Sequence, residues 1–362
     1  MSEKTSSVHY INYLSLDKVL NSQNLVSKEK GEEAHEEMLF IIIHQTYELW
    51  FKQILHELDS AMVLFKADKI DESNIGVIVG RMDRVNKIMT TLVGQLDILE
   101  TMTSLDFLDF RDYLSPASGF QSHQFRKLEV MLGLKIKKRH QPGGCPYHAQ
   151  FEGEKKEEIL NLEENESLFS LVENWLERIP FLIMKDFNFT KKYEVAVNEM
   201  LEKEISGIKS ANLTEEDRAL RIRMIDENRK YFDRVLSEEQ HNKAIADGET
   251  KLSYKATMSA LLINLYRDHP ILHLPYQFLR SLVELDHKIS TWRFRHVQMV
   301  EKMLGQKIGT GGSSGQEYLK QTVDKHKLFT DLANIATLMI SRSYLPDLPE
   351  NIKKTLGFNY TK

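Results

Sequence analysis

Residues 33–66 read EAHEEMLFIIIHQTYELWFKQILHELDSAMVLFK, a run with neither proline nor glycine. Its apolar residues include Leu39, Ile42, Ile43, Tyr47, Trp50, Ile54, Leu58, Met62 and Phe65, mostly three or four apart. That spacing sets them on one face of a helix, as a stripe wide enough to be buried in a bundle. His44 stands within it.

The same period recurs outward from this stretch. Residues 73–103 carry Ile75, Ile78, Val79, Met82, Val85, Ile88 and Met89 at helical spacing. Only eight prolines and seventeen glycines punctuate 362 residues, and the segments between them lack strand alternation. The expectation is an all-α fold, a large helical-bundle domain spanning residues 1–362. Further helices are expected over residues 121–133, 167–178, 254–266, 278–304 and 317–341, with a peripheral tail after Pro346. Residues 189–205 and 215–245 read as two highly charged helices, a solvated hairpin within 185–250 that protrudes from the core. Thr214 and Asp217 have capping-box spacing at the start of the second. Pro116 and Gly119 break the aromatic connection 107–120. Residues 135–160 are the least regular. His140, Cys145 and His148 lie close together there, but no second ligand pair follows at zinc-finger spacing.

Composition excludes several classes. Forty-eight basic against fifty-three acidic residues leave a net charge of -5, so nothing draws the chain to nucleic acid or an anionic membrane. Even the apolar run from Met38 to Phe51 is interrupted by His44, Gln45 and Glu48, so no membrane span is expected. The lone cysteine, Cys145, rules out an internal disulfide framework, and the first residues lack the apolar core of a secretion signal. A cytoplasmic protein is expected.

The chemistry concentrates between Thr291 and Gly315. Trp292, His296, Met299, Val300 and Met303 share one helix face, an apolar surface with an imidazole set in it, able to take the flat side of a haem. A single histidine in such a place is by itself more often a core residue bonded to a carbonyl, and both readings stay open. Arg293 and Arg295, beside His296, can turn outward toward anionic groups such as haem propionates. With no Cys-x-x-Cys-His motif, any haem is held non-covalently. The loop Gly309-Thr310-Gly311-Gly312-Ser313-Ser314-Gly315 fails the tests for a nucleotide loop: Gln316 and Glu317 stand where a phosphate loop needs Lys and Ser or Thr. It remains a loop rich in backbone N–H groups and hydroxyls.

Four blocks, taken in order, resemble the tryptophan 2,3-dioxygenase family: Phe40-Ile-Ile-Ile-His44-Gln-Thr-Tyr-Glu-Leu-Trp50, Phe110-Arg111-Asp-Tyr-Leu-Ser-Pro-Ala-Ser118-Gly119, Trp292-Arg-Phe-Arg-His296 and the glycine loop. The resemblance runs from Tyr10 to about Leu345 and is weakest between residues 135 and 250. It implies a helical, homotetrameric enzyme, a dimer of dimers, containing haem b in its ferrous form. Such an enzyme inserts both atoms of O2 across the indole C2–C3 bond of L-tryptophan to give N-formyl-L-kynurenine, in the kynurenine pathway.

Carried over by position, His296 is the proximal ligand of the haem iron and Trp292 packs beside the haem. Arg111 takes the substrate carboxylate as a bidentate pair, while Thr310 and a haem propionate take the ammonium. Phe40, Phe107 and Tyr10 wall the indole, with the residue 1–30 segment completing a neighbouring subunit's site. Ser118 and Gly119 leave room for a diatomic ligand. His44 is the catalytic-site histidine, expected to accept the indole N–H and orient the ring, since neutral imidazole is too weak a base to remove that proton. The competing expectations are a haem oxygenase for a different indole derivative and a non-enzymatic haem sensor.

Overall fold

The computed structural model describes residues 8–67, 72–134, 147–184, 187–305, 307 and 315–357. Three short helices, α1 (Tyr10–Tyr13), α2 (Leu16–Leu20) and α3 (Val26–Glu29), lead into the long α4 (Glu37–Phe65). The junction is held by the buried Glu37 carboxylate, which accepts from the backbone N–H of Val26 at 2.9 Å and of Ser27 at 3.0 Å. α1 buries no residue at all. Along α4 the expected stripe holds for Ile43, Tyr47, Ile54, Leu58, Met62 and Phe65, but Ile42 and Trp50 are 41% and 37% exposed. They lie on the outer face with Leu49 and Met38.

α5 (Ser73–Leu99) buries every apolar residue expected of it. It stops short of Thr103 because that hydroxyl, with Asp106, forms a capping box that starts α6 (Ser104–Arg111). After short 3-10 turns at Asp112–Leu114 and Gly119–Gln121, α7 (His123–Leu132) begins at the Ser122 cap. It ends at Gly133, whose φ of 120° and a Cβ position only 2.8 Å from Phe169 Cβ leave no room for a side chain. Part of the irregular region is helical, since α8 (Gly153–Glu164) occupies it, followed by α9 (Leu168–Glu177). His140 and Cys145 lie outside the described residues. Among those described, no three His, Cys, Asp or Glu side chains gather as a metal cage.

A two-residue ribbon, β1 (Ile183–Met184) antiparallel to β2 (Phe187–Asn188), pairs Ile183 with Asn188 and Met184 with Phe187. It precedes α10 (Phe189–Ser210) and α11 (Glu215–Leu236), which pack on each other as a hairpin. Phe189, Tyr193, Val197, Leu201 and Phe232 are buried at its base, while most residues toward Ala211–Leu213 are exposed. The Thr214 cap receives the Asp217 N–H at 3.2 Å, as its spacing implied. The second helix does not run on to 245: Ser237 caps a separate α12 (Glu238–Ala246).

α13 (Tyr254–Leu265) is buried along most of its length, and α14 (Pro270–Leu304) lies against α5. α14 starts eight residues earlier than its apolar pattern suggests. Pro270 sits at the first helical position, where its missing N–H costs nothing, and Pro275 is taken into the helix. Beyond α15 (Gly315–Lys325) the expected single helix to 341 breaks. The buried Asp286 carboxylate accepts from the N–H of Leu328 at 2.9 Å and of Phe329 at 3.2 Å, drawing those donors out of a helical ladder. α16 (Thr330–Asn334) follows, then α17 (Glu350–Leu356), which buries Ile352 and Leu356 against α14, so the tail is part of the core. No described helix is long and apolar enough to cross a membrane.

The core is one continuous apolar cluster. Phe278, fully buried on α14, sits 5.2 Å from the Phe65 ring and 5.6 Å from the Trp175 ring, tying α14 to α4 and α9. Replacing it, Phe278→Ala, is expected to cost about 3–5 kcal/mol. A urea titration of the purified protein would read this as a lowered midpoint, and an unchanged midpoint would contradict the packing described.

Candidate active site

A cavity of about 320 Å3 opens between α4, α6, α7, α14 and α15. One wall is the α14 face foreseen from sequence, with Trp292, His296, Met299, Val300 and Met303 all lining it. The opposite wall comes from Phe40 and His44 of α4, Phe107 and Arg111 of α6, and Ser118 and Gly119 of the turn beyond. Thus eight of the ten residues singled out by sequence meet around one space. Of the other two, Thr310 lies outside the described residues, and Tyr10 is 70% exposed on α1 and does not line the cavity.

Local sequence explains each placement. Phe40 and His44 are one helical turn apart, and their rings lie 4.1 Å centroid to centroid. Phe40 also touches Phe107 at 5.7 Å and Phe110 at 5.5 Å, so the aromatic wall is fixed from two helices. The turn at 118–122 is held to α4 through Glu48, which accepts from Ser122 Oγ at 2.5 Å and from Gln124 Nε2 at 2.8 Å. Ser118 caps that turn, its Oγ accepting the Phe120 N–H at 3.3 Å. A Cβ built on Gly119 would meet nothing within 4 Å. The far end of α14 is tied down by Ser104 Oγ, which donates to Met303 O at 2.6 Å.

His44 has a determined tautomer. Its Nδ1 lies 2.7 Å from the Phe40 carbonyl, which can only accept, so the proton sits on Nδ1 and Nε2 carries the lone pair. Burial lowers its pKa, partly offset by that carbonyl and by Glu48, so the ring is neutral at pH 7. The His296 imidazole is neutral too, pushed down to about 4 by burial, with His44 and Arg293 acting in the same direction. Among the described residues neither of its ring nitrogens finds a hydrogen-bond partner. It stacks on Trp292 at 5.7 Å and 8°. Trp292 in turn is boxed by Tyr47 at 6.0 Å, Phe51 at 6.4 Å and Phe125 at 5.1 Å.

These three aromatics were not singled out as site residues. Tyr47 and Phe51 were foreseeable, being one and two turns after His44, whereas nothing in the sequence near Phe125 points to Trp292. The expectation that Arg293 and Arg295 turn out toward anions is corrected. Arg295 pairs with Asp97 at 2.7 Å and Glu100 at 3.0 Å, and Arg293 is buried against Glu129 at 2.5 Å. Carboxylates on α5 and α7, far away in sequence, hold both.

A family model described as tryptophan 2,3-dioxygenase matches residues 1–339. The chain belongs to the tryptophan 2,3-dioxygenase family. Similar proteins named tryptophan 2,3-dioxygenase come from distant organisms. That of Bdellovibrio bacteriovorus is 47% identical over 98% of this chain and 99% of its own length, that of Dictyostelium discoideum 46% over 98% and 89%, and that of Mus musculus 45% over 96% and 86%. As a member of the tryptophan 2,3-dioxygenase family, the chain is a haem-dependent dioxygenase of tryptophan.

The cavity fits that group. It offers a neutral imidazole whose nitrogens meet no hydrogen-bond partner among the described residues, which is the form that binds a metal. Beside it the buried indole N–H of Trp292 has the Tyr47 hydroxyl nearby but outside good hydrogen-bond geometry, and the apolar α14 face that both rings share can take a flat ring. Since a depressed imidazole pKa keeps the nitrogen unprotonated down to about 4, haem affinity is expected to stay level from pH 8 to about 5 and to fall only below that. Soret titrations at stepped pH measure it; a loss centred near 6.5 would contradict the buried, neutral His296.

Proposed function

We propose that this cavity is where the chain dioxygenates L-tryptophan to N-formyl-L-kynurenine, with His296 holding the haem iron and the α4–α6 wall holding the substrate. The observation that carries the reading is the meeting, in one apolar cavity, of the partnerless His296 imidazole with the Arg111 guanidinium and the Phe40–Phe107 wall. Bound ferrous haem supplies the oxygen chemistry. Both oxygen atoms end in the product, so no reductant is consumed in turnover.

The chain's own residues supply placement. Tryptophan presents a carboxylate, an ammonium, a flat ring and one N–H. Arg111, at the last turn of α6, receives the carboxylate through two parallel N–H donors. Phe40 and Phe107 bracket the indole, and the lone pair on His44 Nε2 accepts its N–H, fixing the ring's rotation without removing the proton. The open space over Gly119, beside the capped Ser118, leaves a diatomic molecule room next to the ring. Thr310 receives the ammonium, and Trp292 supports the haem and holds the His296 plane.

The homotetramer, with residues 1–30 of one copy completing the site of another, is part of the same proposal. Its support is apolar surface exposed among the described residues of one chain: Tyr10 and Tyr13 are 70% and 74% exposed, and Leu49 and Trp50 of α4 are 54% and 37% exposed. The single domain, the protruding hairpin at 185–250 and a cytoplasmic location complete it.

Reduced, haem-loaded protein given L-tryptophan in air-saturated buffer is expected to form N-formylkynurenine, with two oxygens added by mass. Haem-loaded protein that yields no such product sinks the proposal. Arg111→Leu is expected to lose about 3 kcal/mol of transition-state binding, roughly a hundredfold in kcat/KM for tryptophan. An unchanged kcat/KM would remove Arg111 from the site. His44→Ala is expected to slow turnover without abolishing it; complete loss in a folded, haem-replete variant would mean that His44 does more than orient.

A further inference from the structure

Behind the His296 wall lies a set of charges with no part in substrate placement. Glu129 on α7, 3% exposed, meets Arg126 Nη1 at 2.6 Å and Arg293 Nη2 at 2.5 Å, with His326 Nδ1, just beyond the end of α15, at 3.6 Å. Arg126 and Arg293 are 6% and 8% exposed, border the cavity, and lie 5.2 Å and 5.5 Å over the Phe125 ring. Burial alone would raise the Glu129 carboxyl. Arg126 and Arg293, with His326 behind them, outweigh it and hold the acid well below the usual carboxylate range.

Buried ion sets of this kind are seldom worth their desolvation in stability, and apolar residues of similar volume often do as well. Their location is informative. Arg293 precedes His296 by three residues, which places the two side chains side by side on α14. Both side chains line the same cavity. Reduction of ferric to ferrous iron takes one electron from an external donor and removes one unit of positive charge. A fixed cation one turn away favours the less positive state, and a fixed carboxylate behind it moderates that preference.

We propose that the Arg293–Glu129 pair, buried one turn from His296, sets the balance between ferrous and ferric haem: Arg293 biases it toward the ferrous form and Glu129 limits the bias. The pair touches neither substrate nor reacting atoms; its members act through the iron. This rests on His296 as the iron ligand.

The test is a spectroelectrochemical titration of the full-length, haem-loaded protein. Arg293→Gln is expected to shift the equilibrium toward ferric haem about tenfold, a midpoint lower by about 59 mV for one electron. Glu129→Gln is expected to shift it the opposite way. Arg293→Lys and the double variant R293Q/E129Q, which leaves no orphaned member of the pair, are expected to stay near the parent. A purely structural role moves both single variants in the same direction, and that outcome, or no shift in either, overturns the proposal. Where Glu129→Gln fails to hold haem, the contrast between Arg293→Gln and Arg293→Lys decides; where Arg293→Gln fails, Glu129→Gln against Glu129→Asp does. His296→Ala separates the two levels of inference. A native Soret band in that variant defeats the iron-ligand assignment, while its loss together with unshifted pair variants defeats this proposal alone.

Discussion

The stack of His296 on Trp292 is held by aromatic side chains from two neighbouring helices. An imidazole one turn along α14 from an indole can adopt several rotamers, and the box of Tyr47, Phe51 and Phe125 holds the indole on which it stacks nearly parallel. α4 and α7 therefore set the plane of a side chain on α14. The same burial keeps the imidazole neutral, so orientation and protonation state have one cause. The Ser104 hydroxyl at Met303 and the Asp286 carboxylate at Leu328 and Phe329 hold the two ends of that architecture without entering the cavity.

Much of this was legible because the period of an apolar stripe survives folding. Ile75, Ile78, Val85 and Met89 are buried as their spacing implies. Where the stripe misled, at Ile42 and Trp50, the helix is apolar over more of its circumference than its own core covers. Periodicity alone cannot say what covers the remainder. Helix ends were less legible, since they are set by contacts remote in sequence. Asp286 breaks the last long helix from 42 residues away, which no local pattern signals. Ser237 and Thr103 were local caps that an apolar pattern passes over.

The site followed the same division. His44 and Phe40 share a turn, as do Trp292 and His296, and both pairs were visible in the chain. That the two pairs face each other across one cavity came from matched blocks, since spacing within a helix carries no information about its partner helix. The arginines show the limit most clearly. Arg293 and Arg295 are two residues apart and looked equivalent, yet one is buried on Glu129 and the other lies between Asp97 and Glu100. Their fates depend on which way α14 faces, a tertiary property.

The hairpin of α10 and α11 stands apart from all of this. Its base shares the core through Tyr193 and Phe232, but neither helix contributes a residue to the cavity wall. Its exposed turn at Ala211–Leu213 is accordingly a natural splice point. An affinity handle, a fluorophore or a tether to a surface introduced there would leave the chemistry of the protein undisturbed, a freedom that α1, near the proposed contact between copies, and α17, packed on α14, do not share.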